Sequence, residues 1–304
     1  MTQLVGGVVP PVCTPLTAER ELDVPSLERL AAFLLDAGVH GLFVTGSTGE
    51  VAYLPDDVRY RALDVVAGVA AGQVPVLAGV IDTTTPRVIE HARAAEAAGA
   101  DALVATAPFY VPTHPSEFGG HFRAIRAAVD LPLVAYDIPS SVGSKLPTDV
   151  VADLAEDGTI VALKDSSGDL DGLRAVLEST EADGFRCFSG SETLADLGLF
   201  IGAHGLVPGI GNVDPHGYLR LFDAAGRADW DTARAEQARL RRLFRMIRVG
   251  GTRMGPYSSA IGAFKEGLRA RGVIASATTS RPMIPLNDTE RAAVRRRLDE
   301  AGLL

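Results

Sequence analysis

Eight short apolar runs alternate with helix-length segments through the first 225 residues of this 304-residue chain, an order that few folds can accommodate. The runs fall at 7–12, 41–45, 76–79, 102–105, 131–136, 160–164, 186–189 and 205–208. Each is short and bounded by glycine, proline or polar residues, the pattern of a strand buried on both faces of a parallel sheet. The segments at 24–37, 56–71, 86–98, 116–129, 147–155, 170–179, 192–201 and 215–225 carry apolar residues at helical spacing. Gly38, Gly72 and Gly99 close the first three, and Thr85-Pro86 opens the third with a cap and a first-turn proline. Eight successive βα units read as a (β/α)₈ TIM barrel, a fold of about 250 residues. The barrel is expected over 1–225. Residues 226–304 hold Arg-rich amphipathic segments at 229–247 and 287–301, with another helix near 257–270, and are expected to form a C-terminal helical extension packed on it.

Composition removes several classes of function. With 47% hydrophobic and 22% charged residues the chain can fill a large core. Its net charge of −9 offers no electrostatic footprint for nucleic acid. The basic stretch 239–248 reads as a solvated helix face or a subunit contact. No apolar stretch approaches the roughly 20 residues of a membrane span, and the N-terminus lacks the basic region of a leader. A cytoplasmic protein without nucleic-acid or membrane partners is expected. Cys13 and Cys187 lie in apolar surroundings and read as core.

A barrel places its chemistry at the carboxyl ends of its strands, so each strand end can be examined. The sixth run ends in Lys164, one of only three lysines with Lys145 and Lys265. Such a lysine is either a salt-bridged strand-end charge or, where desolvation favours the free amine, a nucleophile that forms a Schiff base with a carbonyl. The fifth run ends in Tyr136. Consecutive barrel strands lie about 4.8 Å apart, so this phenol and Lys164 can share one pocket mouth and exchange protons through a bound substrate. After the second run, Gly46-Ser47-Thr48-Gly49-Glu50 forms a tight turn with two hydroxyls, suited to a carboxylate, although an ordinary βα turn has the same composition. The loop after the fourth run carries Tyr110, and the seventh and eighth runs lead into Gly190 and into Val207 and Gly209. No phosphate-loop or dinucleotide motif is present, and the six histidines lack metal-ligand spacing. His91 and His114 are expected at the surface, leaving His204 and His216 as the pocket candidates.

GSTGE at 46–50, YDIP at 136–139 and LKDSSGD at 163–169 together resemble the dihydrodipicolinate synthase/N-acetylneuraminate lyase family. The resemblance runs from Thr14-Pro15 to RPMIPL at 281–286. It implies a class I aldolase or lyase without metal or organic cofactor, commonly a homotetramer, acting on pyruvate or another 2-oxo acid and an aldehyde. It further implies that Lys164 forms the Schiff base, that Tyr136 relays protons, and that Ser47 and Thr48 hold the pyruvyl carboxylate. Gly190 and Val207 would line the site through their backbones, and Tyr110 would cross a subunit interface into a neighbour's relay. Two departures bear on the substrate. Where the synthase branch reads YNVPSR, this chain has Asp137 and Ser141, and serine cannot supply the cationic fork that an arginine offers an aldehyde's carboxylate. Where the sialic-acid branch reads YDE, with a serine near strand eight, this chain has Ser191-Glu192-Thr193 and Gly209. Cleavage or dehydration of a 2-keto-3-deoxy sugar acid or a 4-hydroxy-2-oxo acid is left by elimination. A non-catalytic 2-oxo-acid sensor and a phosphate-binding isomerase remain as rivals from other classes.

Overall fold

Apolar alternation turns one set of strand side chains inward and the other outward, and the chain closes on itself accordingly. The computed structural model describes residues 6–180 and 182–304; residues 1–5, part of the stretch read for a leader, lie outside them. The strands are β1 (Gly7–Val8), β2 (Leu42–Val44), β3 (Val76–Gly79), β4 (Ala102–Thr106), β5 (Leu133–Asp137), β6 (Ala162–Asp165), β7 (Arg186–Ser189) and β8 (Gly205–Leu206). They pair in parallel in the order β1-β8-β7-β6-β5-β4-β3-β2. The helices between them are α1 (Val24–Ala37), α2 (Asp56–Ala70), α3 (Thr85–Ala97), α4 (Pro115–Ala128), the short α5 (Pro139–Val142), α6 (Thr148–Glu156), α7 (Leu170–Ser179), α8 (Ala195–Phe200) and α9 (Pro215–Gly226). Beyond them come α10 (Trp230–Phe244), α11 (Pro256–Ala270) and α12 (Asp288–Glu300).

The first strand is shorter than the run 7–12 because Pro10 and Pro11 have no N–H to give a ladder. The barrel nevertheless closes there. Phe43 donates its N–H to the Pro10 carbonyl at 3.0 Å, and Val12 donates to the Phe43 carbonyl at 2.8 Å. Elsewhere the differences are local. The β6 ladder starts at Ala162 rather than at 160, and α8 starts at Ala195 after the turn that carries Glu192.

Two apolar layers result. Val9, Phe43, Leu77, Val104, Val134, Ala162, Phe188 and Val207 fill the barrel interior, while Leu103, Ala105, Leu133, Ala135, Leu163 and Cys187 face the helices. Helix α1 shows how the outer layer is built. Leu27, Leu30, Ala31 and Leu34 form its buried stripe, Asp23 caps its first turn through Ser26 N–H, and Gly38 ends it in the left-handed conformation. Both cysteines are buried, as their surroundings imply.

His91 corrects the surface expectation. It sits on α3 but faces inward, where its ring meets Tyr60 Oη at 2.8 Å, Asp82 at 2.9 Å and Arg59 at 3.1 Å. His114 is exposed and caps α4.

His121, also on α4, donates Nε2–H to the Thr106 carbonyl at 3.1 Å and accepts from the Thr85 hydroxyl at 2.9 Å. Burial pushes its pKa from 6.5 down to about 4, so the folded ring stays neutral where the unfolded one takes a proton. Stability should therefore fall as the pH drops below 6.5, by up to about 3 kcal/mol on reaching pH 4. Urea unfolding of the wild type and His121→Gln at pH 7 and pH 4.5 tests this: the variant should lose less stability between the two, and equal losses would refute it.

Candidate active site

The register of three strand pairs builds the centre of the site. Thr106 on β4, Tyr136 on β5, Lys164 on β6 and Phe188 on β7 are direct partners across the sheet. Direct partners share a face, and the buried neighbours of this row place it in the barrel interior, at the strands' carboxyl ends. Lys164 is 5% exposed, and its Nζ lies 3.9 Å from the centre of the Tyr136 ring and 4.7 Å from that of Phe43. Among the described residues it makes no ion pair and no hydrogen bond, which removes the reading of a salt-bridged strand-end lysine. Its amine opens instead into a cavity of about 280 Å³.

Thr48, Tyr136, Lys164, Gly190, Glu192, Val207 and Gly209 all line that cavity. The structure thus gathers five of the expected residues: Lys164, Tyr136, Thr48, Gly190 and Val207. Ser47 lines a neighbouring cavity of about 300 Å³ together with Thr106, Phe109, Ile138, Ser141 and Tyr257, so the turn borders both cavities. Tyr110 lies outside both. It is 91% exposed, with a left-handed backbone at φ 77°. His204 and His216 also stay away: His204 precedes β8 at the opposite end of the barrel and accepts from Cys187 N–H, and His216 is exposed on α9.

Local chemistry explains these placements. After Lys164 the chain alternates outward to Asp165, whose carboxylate accepts from Ser167 N–H at 2.7 Å and Ser167 Oγ at 2.6 Å and so folds the DSSGD turn. Asp169 then caps α7. Gly190 donates to the Asp165 carbonyl at 2.7 Å. A Cβ at Gly190 would lie 2.0 Å from Ser166 Oγ and 3.2 Å from Lys164 Cε, so any side chain there would crowd the lysine. Asp137 is turned away from the cavity. It accepts from Leu146 N–H at 3.1 Å and Lys145 Nζ at 3.2 Å, and burial raises its pKa against these stabilising partners.

Glu192, given no role at the end of the seventh run, also lines the cavity. It falls in the turn before α8, and its carboxylate accepts from Gly209 N–H at 2.9 Å. Burial pushes its pKa up, while the hydrogen bonds from the backbone and the nearby Lys164 charge oppose the rise. A carboxylate directly after Gly190-Ser191 was the sequence signal available for it. Among the described residues lining the two cavities, Lys164 is the one cation and Glu192 the one carboxylate.

Comparison with known proteins agrees with this geometry. Residues 4–301 match the sequence model of the Dihydrodipicolinate synthetase family. An uncharacterized DapA-like lyase of Halobacterium salinarum is 36% identical over 298 residues, covering 98% of this chain and 94% of that protein. The 4-hydroxy-tetrahydrodipicolinate synthase of Methanospirillum hungatei is 34% identical over 243 residues, 79% of this chain and 83% of that one. Among solved structures, YagE, a prophage protein of the dihydrodipicolinic acid synthase family from E. coli K12 in complex with pyruvate, superposes with a TM-score of 0.92 at 27% identity. That match covers 99% of this chain and 100% of YagE.

Proposed function

The chain belongs to the dihydrodipicolinate synthetase family, pyruvate-dependent lyases that act through a lysine Schiff base, and on that footing we propose that Lys164 attacks the C2 ketone of a 2-oxo acid. The observation that carries the proposal is a buried amine, without an ion-pair partner among the described residues, over the Tyr136 ring at the mouth of a cavity. The substrate's carboxylate sits on Ser47 and Thr48, with Gly190 and Val207 against the reacting carbons. The carbinolamine loses water to give a protonated imine, an electron sink for the C3–C4 bond. Tyr136 takes the proton of the C4 hydroxyl as that bond breaks and the aldehyde leaves. The resulting enamine is protonated at C3, and water releases pyruvate and the free lysine.

We further propose that the cleaved substrate is a 2-keto-3-deoxy sugar acid or a 4-hydroxy-2-oxo acid, with Glu192 accepting hydrogen bonds from hydroxyls of the aldehyde half. The cavity supports an uncharged, hydroxylated partner, because Lys164 is engaged in the imine and, among the described residues, no second cation lines the walls. Glu192→Gln should then lower kcat/KM for such a sugar acid by about 10-fold or more, with half-saturation by pyruvate unchanged. Pyruvate release across a panel of sugar acids measures this, and equal kcat/KM in variant and wild type would reject the assignment.

The second reading is 4-hydroxy-tetrahydrodipicolinate synthase activity, favoured by the relative from Methanospirillum hungatei. It requires an aldehyde with its own carboxylate, and Ser141 offers that group no cationic fork. Efficient condensation of pyruvate with such an aldehyde, without cleavage of any sugar acid, would establish it instead. A homotetramer in which Tyr110 of one copy enters the site of another accords with that residue's exposure, and a monomer mass in solution would rule it out.

A further inference from the structure

The carboxylate seat is held from a distance. We infer that Tyr257 and Lys265, both on α11, are positioning residues for the substrate's carboxylate, fixing the 46–50 turn from the C-terminal helices. This rests on the reading of Ser47 and Thr48 as that seat.

Three acceptors of the turn, the Ser47 and Gly49 carbonyls and the Glu50 carboxylate, are reached by groups outside it. Tyr257 Oη, on the first turn of α11, donates to the carbonyl of Ser47 itself. Thr14 Oγ1 donates to the Gly49 carbonyl at 2.8 Å. The turn ends at Glu50, whose backbone is left-handed at φ 65°, an uncommon conformation for a residue with a Cβ. Its carboxylate is completely buried, accepts from Ser280 N–H at 2.7 Å, and forms an ion pair with the equally buried Lys265. Lys265 Nζ donates in addition to the Thr278 carbonyl at 2.7 Å. Within the turn itself, Gly49 N–H returns to Gly46 and Glu50 N–H to Ser47. Among the described residues nothing accepts from the amides of Ser47 and Thr48, so the outside anchors hold the turn while its ligand-facing end stays uncommitted.

Stability alone is a poor reason for this arrangement. Two charges taken wholly out of water cost about as much as their attraction returns, and an apolar pair would secure α11 equally well. What a buried ion pair, hydrogen-bonded to Ser280 and Thr278, does supply is a fixed position at the end of a strained turn. Tyr257 applies the same constraint at the carbonyl of a seat residue. A site whose supporting groups are loosened by a fraction of an ångström loses binding although every contacting residue remains.

The experiment measures adduct formation with pyruvate and borohydride at increasing pyruvate concentration, read by intact mass. Tyr257→Phe removes one hydroxyl and keeps the ring. Its half-saturating pyruvate concentration should rise about tenfold, while the adduct at saturation still forms on Lys164 and the melting temperature changes little. An unchanged half-saturation in the folded variant overturns the role of Tyr257. Lys265→Met leaves a buried carboxylate unpaired and is expected to fold poorly, so Lys265 is tested with the double variant Glu50→Gln/Lys265→Met, in which no charge is stranded. The double variant should also show a raised half-saturation, and wild-type behaviour in it overturns the role of Lys265. A wild type that forms no adduct would instead remove the underlying reading of Lys164, an outcome distinct from both.

Discussion

Lys164→Ala should abolish lyase activity, a loss of at least about 10³-fold in kcat, and leave a folded protein. In the proposed mechanism the amine is the nucleophile on which every later step depends, and no neighbouring lysine can replace it. Lys145 is committed to Asp137 and Asp169, and Lys265 is buried against Glu50. The fold should survive because Lys164 makes no ion pair among the described residues, and Glu192 keeps the Gly209 N–H that its carboxylate accepts from. Removing one member of a buried pair has a different consequence, costing about 3–5 kcal/mol. Lys164→Arg separates the two properties of the lysine. It keeps a cation beside the Tyr136 and Phe43 rings, yet guanidinium cannot form the imine, so it too should be inactive. Steady-state assays beside thermal melts check both, and substantial turnover by either variant would contradict the mechanism.

Tyr136→Phe should lower kcat by about 10²- to 10⁴-fold with little change in stability. The aromatic face beside Lys164 and the edge-on contact with Phe43, at 6.4 Å between ring centres, persist in phenylalanine. What disappears is the hydroxyl that, in the proposed mechanism, takes the proton of the substrate's C4 hydroxyl. Imine formation with pyruvate should be slowed but should still reach the same lysine. A variant with wild-type kcat would move the proton relay to another group, of which Glu192 is the one carboxylate among the described residues lining the same cavity.

The fold was legible because its two periodicities are clean. Short apolar runs with inward and outward alternation gave the strands, and capped segments such as α1 gave the helices. Lys164 and Tyr136 were legible for the same reason, since each ends a run and the runs are consecutive. The shortened β1 reflects Pro10 and Pro11, which continue the apolar pattern but cannot donate to a ladder. His91 was misplaced because its position on a helix does not reveal the half-buried Asp82 and the buried Arg59 it faces. Glu192 was partly visible, as a carboxylate just beyond a strand end. The contact of Tyr257 with Ser47 was not visible at all: the two residues are 210 positions apart and no local spacing encodes their meeting. Glu50 and Lys265 belong to the same class, since a buried ion pair is set by tertiary packing, and each residue alone reads as an ordinary surface charge.

The most direct test of the central claim is borohydride reduction of the wild-type protein with pyruvate, followed by intact mass and peptide mapping, with Lys164→Ala in parallel. One reduced pyruvyl group per chain on the peptide containing Lys164, absent from the variant, is the predicted result. A folded wild-type protein that gains no mass, or gains it on another residue, would contradict the assignment of Lys164 as the Schiff-base lysine.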